Sequence, residues 1–156
     1  MDSGCDSIWM KEALKEARTA LECGEVPVGA VIVSGGRVIG RGHNRVENLK
    51  DATAHAEIIA IGAASQGIGD WRLEDSTMYV TVEPCMMCLG AIFFSRVSRL
   101  VFGTPDRRGG ACGGALDLAR LKYLEREVTI DGGVLEKECR ALVLEFFEKI
   151  RDTDSK

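Results

Sequence analysis

Two short segments contain residue types that together could build a hydrolytic metal centre. The first is His55-Ala56-Glu57, and the second is Pro84-Cys85-Met86-Met87-Cys88. One imidazole and two thiolates would supply three protein ligands, the number that a catalytic zinc ion uses when its fourth position is left for water. The carboxylate of Glu57 would then be free to transfer protons. These segments predict a zinc site held by His55, Cys85 and Cys88, with Glu57 as the catalytic acid and base.

A close cysteine pair has more ordinary interpretations when it occurs alone. Such a pair also fits a redox couple or half of a structural zinc site. A structural site needs a fourth ligand, and the other candidates, His43 and Cys112, lack a spacing typical of metal ligands. The histidine and glutamate upstream, together with the proline directly before the pair, favour a catalytic zinc ion.

Length and composition predict a single domain over residues 1–156. The chain has 156 residues, of which 46% are hydrophobic and 28% charged. Its net charge of −4 argues against nonspecific binding of nucleic acid, although a local arginine patch could hold one folded RNA. The first residues lack the apolar segment of a secretion signal, and no later apolar run approaches membrane-spanning length. We therefore expect a soluble, cytoplasmic protein without a membrane partner.

Hydrophobic periodicity predicts helices that alternate with strands. Helices are predicted over 8–21, 54–64, 85–95, 116–121 and 136–150, and strands over 26–33, 37–40, 77–82, 99–103 and 127–130. The Gly35-Gly36 pair predicts the turn of a β-hairpin, and the glycine-rich segment 103–114 predicts a mobile loop. This order predicts an α/β sandwich with a hairpin at one edge and helices on both faces of the sheet.

The predicted elements place both chemical segments at the beginning of helices. His55 lies near the start of one helix, and Cys85 and Cys88 open the next, three residues apart on one side of it. Partial positive charge at a helix N-terminus stabilises thiolates. We therefore expect two helix N-termini to converge on the metal ion.

Together with other segments, these motifs resemble the bacterial tRNA-specific adenosine deaminases of the cytidine deaminase superfamily. H-x-E followed by P-C-x-x-C is the signature of zinc nucleobase deaminases. The similarity extends from about Trp9 to Arg151 and is carried by segments 25–31, 42–45, 53–58, 79–88, 90–92 and 146–147. The resemblance implies a three-layer α/β/α sandwich with a central mixed five-stranded sheet. It also implies a homodimer with one zinc ion per subunit that converts the wobble adenosine of a tRNA anticodon stem-loop to inosine.

The resemblance also implies contacts with the substrate. Asn44 would hydrogen-bond the flipped base, Val28 would line its pocket, and Phe147 would contact neighbouring nucleotides, while Asp106 and Arg107 would approach the RNA backbone. Each residue has a simpler interpretation. Asn44 could hold a turn, Val28 and Phe147 could be packing residues, and the segment with Asp106 and Arg107 could be a solvated loop.

Further expectations concern the reaction and its alternatives. The backbone amides near Ala56 and Cys85 would help to hold charge that develops during the reaction. The sequence departs from the family pattern at Ala52, where proline is usual, and over 121–126, which is shorter. A deaminase of the same fold that acts on a free base, nucleoside or nucleotide, of the guanine or cytidine type, is therefore the alternative. A noncatalytic zinc or RNA-binding module is a third interpretation, although such a module does not need Glu57.

Overall fold

The computed structural model describes residues 3–120, 122 and 125–155, in which helices and strands alternate. The helices are α1 (Ser3–Glu22), α2 (Val46–Leu49), α3 (Ala56–Ile68), α4 (Met86–Phe94) and α5 (Glu136–Asp154). The strands are β1 (Gly29–Ser34), β2 (Arg37–His43), β3 (Thr77–Val82), β4 (Arg99–Thr104) and β5 (Thr129–Gly132). No helix of the described part of the chain is both long and apolar enough to span a membrane.

The strands form one mixed sheet in the order β2-β1-β3-β4-β5. β1 is antiparallel to both of its neighbours, whereas β3, β4 and β5 run parallel. Parallel strands present their carboxyl ends at one edge, where ligands of open α/β sheets bind. The chain leaves β3 toward Cys85 and leaves β4 toward Asp106, so these two segments meet at that edge.

Alternate residues of the central strands face opposite helical layers. One face of the sheet and helices α3 and α4 form a core cluster whose members include Ala30, Ile32, Ala60, Val80 and Leu89. The other face packs against α1 and α5 through a cluster that includes Met10, Val31, Tyr79, Val101 and Cys139. The predicted three-layer α/β/α sandwich with a mixed five-stranded sheet is therefore confirmed.

Helix α3 can approach β2 closely because two residues of the strand lack side chains. A β-carbon at Gly40 would lie 2.6 Å from the carbonyl oxygen of Ala60, and one at Gly42 would lie 2.7 Å from the Ala60 nitrogen. Both distances are too short for a real side chain. These glycines therefore set the position of α3 and of His55 just before it.

Several predicted elements differ from the structure. Helix α1 begins before its predicted start, β1 begins after its predicted start and β2 ends after its predicted end. One predicted helix is wrong, β5 is displaced and one helix was missed. Residues 116–120 form turns and a bridge between Cys112 and Asp117 instead of the predicted helix, whose last residue, Leu121, lies outside the described residues. The Asp117 carboxylate accepts the N–H of Ala119, a local bond that competes with helix formation. β5 occupies 129–132 rather than 127–130, and the short helix α2 was not predicted.

The shift of β5 has a packing cause. Gly132 pairs with Phe102 of β4, and a β-carbon at Gly132 would meet the Phe102 ring. β5 therefore ends at Gly132. Strand prediction from sequence favours β-branched residues and treats glycine as a position where a strand stops, so Gly132 was not expected in the strand.

Asp6 lies within α1 and is the centre of a buried ionic network. Its carboxylate accepts the Tyr79 hydroxyl at 2.9 Å and hydrogen bonds from both terminal nitrogens of Arg99 at 2.8 and 2.9 Å. Arg99 also donates to Asp131 of β5 at 3.0 Å. The hydrogen bonds from Arg99 hold the pKa of Asp6 below its usual range. The network therefore ties α1 to strands β3, β4 and β5.

We expect Asp6→Asn to lower the free energy of unfolding by about 1 to 3 kcal/mol, the usual effect of losing a buried charged hydrogen bond. Because the pKa of Asp6 is lower in the folded state, this stabilisation is complete above the unfolded value of about 3.9 and is lost as pH falls through the folded value. Urea unfolding of wild type and variant should therefore converge in acid. Asp70→Asn, which removes an exposed pair with Arg72, is the control. A difference independent of pH would contradict this explanation.

Candidate active site

The N-termini of α3 and α4 bring three donor atoms together. His55 immediately precedes α3 and Cys85 immediately precedes α4, both with extended backbones, and Cys88 lies in the first turn of α4. His55 Nδ1 is 3.6 Å from Cys85 Sγ and 3.4 Å from Cys88 Sγ. All three donor atoms lie within 4.8 Å of one another. The predicted convergence of two helix N-termini is therefore present.

The chemistry of these donors fits zinc. Two thiol sulfurs and one imidazole nitrogen are ligands that zinc prefers, and three of them leave one coordination position free. A hydrogen bond from Cys88 lowers the pKa of the Cys85 thiol to about 5, so a thiolate is available there. The same interaction, with burial, raises the pKa of Cys88. Among the residues that the structure describes, this is the one cluster suited to hold a metal ion.

Glu57 lies beside this cluster but is not part of it. It occupies the first turn of α3 and is only 4% exposed. Burial raises the pKa of its carboxyl group, and the charge of Cys85 raises it further. A raised pKa makes a carboxylate a better proton acceptor. The position of Glu57 is thus consistent with the predicted role of a proton carrier.

A cavity of about 530 Å³ opens above these residues, a size typical of small-molecule sites. His55, Ala56, Glu57 and Cys85 line it. The remaining walls come from the segments before β1, after β2 and after β4, from the end of β3 and from α5. Their residues are Gly24, Glu25, Val26, Val28, Asn44, Val46, Glu47, Val82, Glu83, Asp106, Phe146 and Ile150. The structure therefore places the predicted residues Val28, Asn44, Ala56 and Asp106 on one cavity.

The sequence left two roles open for Asn44, holding a turn and contacting the base, and its position in the structure is compatible with both. Its side-chain oxygen accepts the N–H of Val46 at 3.3 Å, and its amide nitrogen donates to the Val26 carbonyl at 3.3 Å. Its backbone N–H donates to the Val28 carbonyl at 3.0 Å. Asn44 thus holds a turn, and it also lines the cavity. The side-chain oxygen of Asn44 can accept one further hydrogen bond, and its side-chain nitrogen can donate one more.

Asp106 and the following arginines differ in position. Asp106 lines the cavity, and its carboxylate accepts the N–H of Arg108 at 2.9 Å and that of Gly109 at 3.3 Å. Arg107 is exposed and does not line the cavity. Arg108 lines a neighbouring groove that shares His55 and Cys85 with the cavity. The basic residues therefore lie outside the space that a base would fill.

The structure places Phe146, which was not predicted to contact substrate, on the cavity wall, while Phe147, predicted to contact nucleotides beside the base, does not line the cavity. The two rings meet edge to face with centroids 5.4 Å apart, and Phe147 is 42% exposed. Cys139, Leu142 and Phe146 follow at helical spacing along the side of α5 that packs inward, so the next residue is turned away. Ile150, one turn beyond Phe146, was also missed, although the same spacing would have indicated it.

Two buried acids on the cavity walls, Glu25 and Glu83, were not predicted from the sequence. Glu25 is 2% exposed and Glu83 is 4% exposed. A charged residue at the end of a buried strand, directly before Pro84, was the available signal for Glu83. The signal for Glu25 was weaker, since charged residues before a strand are ordinary on surfaces.

Comparison with known proteins shows that a chain with this fold and site is a deaminase. The family described as MafB19-like deaminase matches residues 5–151, and the chain belongs to this deaminase family. Within that class it is similar to the tRNA-specific adenosine deaminase of Bacillus subtilis (strain 168). The two are 45% identical over 146 residues, which cover 94% of this chain and 91% of that protein. The predicted family resemblance is therefore confirmed.

Two solved structures extend the comparison. One, from a study of A-to-I editing by tRNA:A34 deaminases at the wobble position of transfer RNA, is 42% identical with a TM-score of 0.83 and covers 86% of this chain and 98% of that chain. A guanine deaminase from Nitrosomonas europaea is 26% identical with a TM-score of 0.76, over 90% of this chain and 83% of that chain. Sequence and structure are therefore both closer to the first.

We expect the purified chain to bind one zinc ion, as measured by elemental analysis. Cys88→Ala should lose this ion, since two remaining ligands bind zinc weakly. Glu57→Gln should keep it, because Glu57 is outside the ligand cluster. Cys23→Ala, at an exposed cysteine that is not part of the cluster, is the matched control. Full zinc content in Cys88→Ala, or its loss from Glu57→Gln, would contradict the assignment of ligands.

Proposed function

We propose that this chain is a zinc-dependent hydrolytic deaminase that converts the wobble adenosine of a tRNA anticodon to inosine. The observation that carries the proposal is the cluster of His55, Cys85 and Cys88 with Glu57 buried beside it. His55, Glu57 and Cys85 line a cavity large enough for one nucleobase. The similarity to tRNA-specific adenosine deaminases over 94% of the chain supports the choice of substrate. Because a tRNA substrate is found in the cytoplasm, we expect the protein to work there.

His55, Cys85 and Cys88 would hold the zinc ion, one per subunit. When bound, zinc would activate water for attack on the ring carbon that carries the amino group. Glu57 would accept a proton from that water and deliver protons to the ring nitrogen and the departing amine. The backbone amides that follow His55 and Cys85 lie at helix N-termini, where they favour developing negative charge.

The walls of the cavity suit a purine base. Val28 and Phe146 offer apolar surface, and Asn44 offers the remaining hydrogen-bond capacity of its amide. Phe147 and Arg107 are exposed outside the cavity, where nucleotides that flank the base would lie. Aromatic rings stack on bases, and arginines bind phosphates. An RNA loop would use both the cavity and these outer residues, whereas a free base would use only the cavity.

To test this proposal, the zinc-loaded protein is incubated in parallel reactions with a tRNA anticodon stem-loop, adenosine, guanine, cytidine and deoxycytidylate. Mass spectrometry follows the conversion of an amino group to a carbonyl. We expect inosine from the stem-loop at a rate that exceeds all small substrates, and about 10² to 10⁴-fold less from Glu57→Gln. Faster conversion of guanine would support the guanine-deaminase alternative instead. Zinc binding without any turnover would support the noncatalytic module.

We also propose that the chain forms a homodimer through α4. All nine residues of this helix, MMCLGAIFF, are apolar or glycine, yet Met86 is 64% exposed and Phe94 56% exposed. A helix that is apolar on every side is normally buried. Leu116 extends the exposed apolar surface through the groove that it shares with Met86. A second copy of the chain would cover this surface.

We expect sedimentation velocity to give a dimer for wild type and a monomer for Phe94→Lys, because the substitution places a charge on an apolar contact. Leu144→Lys, at an exposed apolar position on α5, is the matched control and should remain dimeric. A wild-type monomer at micromolar concentration would contradict the proposal.

A further inference from the structure

Glu83 is a buried carboxylate that the chemistry proposed above does not use. It follows β3 directly before Pro84 and the ligand Cys85, and it is 4% exposed. Burial of a carboxylate is costly unless hydrogen-bond donors replace the lost water. The donors around Glu83 therefore indicate what this residue holds in place.

All the donors bonded to Glu83 are backbone N–H groups from one segment, 106–114. Asp106 donates to Oε1 at 3.1 Å, while Cys112 and Gly114 donate to Oε2 at 2.8 and 2.9 Å. Hydrogen bonds to an ionised acceptor are stronger than those between neutral groups. The segment expected from its glycines to be a mobile loop is therefore wrapped around one carboxylate.

Two glycines make this wrapping possible. A β-carbon at Gly110 would collide with the Glu83 carboxylate, and one at Gly114 would collide with the Asp106 carbonyl. Any larger residue would push the segment away from Glu83. The glycines thus serve close packing around the carboxylate.

The segment is also attached to the two residues that follow Glu83. The N–H of Ala111 donates to the Pro84 carbonyl at 2.8 Å, and Gly110 forms a backbone bridge with Cys85. The segment therefore lies against three consecutive residues, the last of which is a proposed zinc ligand. At its beginning stand Asp106 on the cavity wall and the exposed Arg107 and Arg108.

We infer that Glu83 is a positioning residue for substrate binding. Its carboxylate fixes segment 106–114 so that Asp106 and the two arginines meet the nucleotides that flank the target base. This inference rests on the proposed function, because it assigns the segment to RNA. It predicts that Glu83 controls the affinity for the stem-loop and leaves the bond-breaking step to Glu57 and the metal site.

Glu83→Gln is the sharpest variant, because it keeps the size of the side chain but turns one acceptor into a donor that faces a backbone N–H. Glu25→Gln is its matched control. Glu25 is 2% exposed and accepts the N–H groups of Glu47 at 3.2 Å and Asn48 at 2.7 Å, on the other side of the cavity. Both variants remove a buried carboxylate, so they share any general loss of stability.

We expect Glu83→Gln to raise KM for the stem-loop about tenfold, the effect of roughly one lost hydrogen bond, and to keep kcat within about threefold. Its zinc content should be unchanged. Hydrogen exchange should become about tenfold faster over 106–114 and stay unchanged at residues 47 and 48. Glu25→Gln should show the reverse exchange pattern. Gly110→Ala, which displaces the segment while Glu83 is kept, should reproduce the KM increase.

Unchanged exchange over 106–114 in Glu83→Gln would overturn the inference, as would a lower kcat with unchanged KM, which is typical of a general loss of folded enzyme. The exchange measurement needs no substrate. If wild type did not act on the stem-loop, the proposed function would fail, and exchange alone would decide whether Glu83 holds the segment.

Discussion

The structure depends on the convergence of two helix N-termini on one point. His55, Cys85 and Cys88 place their donor atoms within 4.8 Å of one another, although they come from helices that follow different strands. The first helix reaches this point because Gly40 and Gly42 let it lie directly on β2. The second begins there because β3 ends in the segment before Cys85. Small changes in either packing would separate ligands that must act together.

The reacting groups and the cavity walls lie on different kinds of structural element. The proposed ligands and Glu57 lie at the beginnings of helices that pack on the sheet, and rigid elements hold reacting groups accurately. The walls of the cavity come mainly from connecting segments and from α5. Buried carboxylates hold two of these segments through backbone N–H groups, Glu25 on one side and Glu83 on the other. Connecting segments of this kind commonly determine which ligand is bound.

The residues of the metal-binding cluster were easier to predict from the sequence than the residues that line the cavity, for a physical reason. Metal ligands and the acid that works beside them need particular residue types at fixed spacing, so His55, Cys85, Cys88 and Glu57 could be chosen from local patterns alone. Helices α1, α3, α4 and α5 and most strands followed from hydrophobic periodicity in the same way. Phe146 could not be recognised as a wall residue because its place on the wall depends on the rotation of α5 against the sheet.

The missed features have one local cause and one distant cause. The predicted helix over 116–121 failed where the chain forms turns around the bridge of Cys112 with Asp117, after a segment whose amides bond to Glu83. β5 was displaced because Gly132 packs against Phe102. Contacts of this type join residues that no local pattern connects.

We propose that one adenine of an RNA loop is deaminated by hydrolysis in the cavity beside His55, Cys85 and Cys88. The most direct measurement is the reaction of the zinc-loaded protein with an anticodon stem-loop in oxygen-18 water, followed by mass spectrometry of each nucleotide. We predict inosine at the wobble position, with one oxygen-18 atom in its base. Inosine without the label, or no inosine from a protein that contains zinc, would contradict the account.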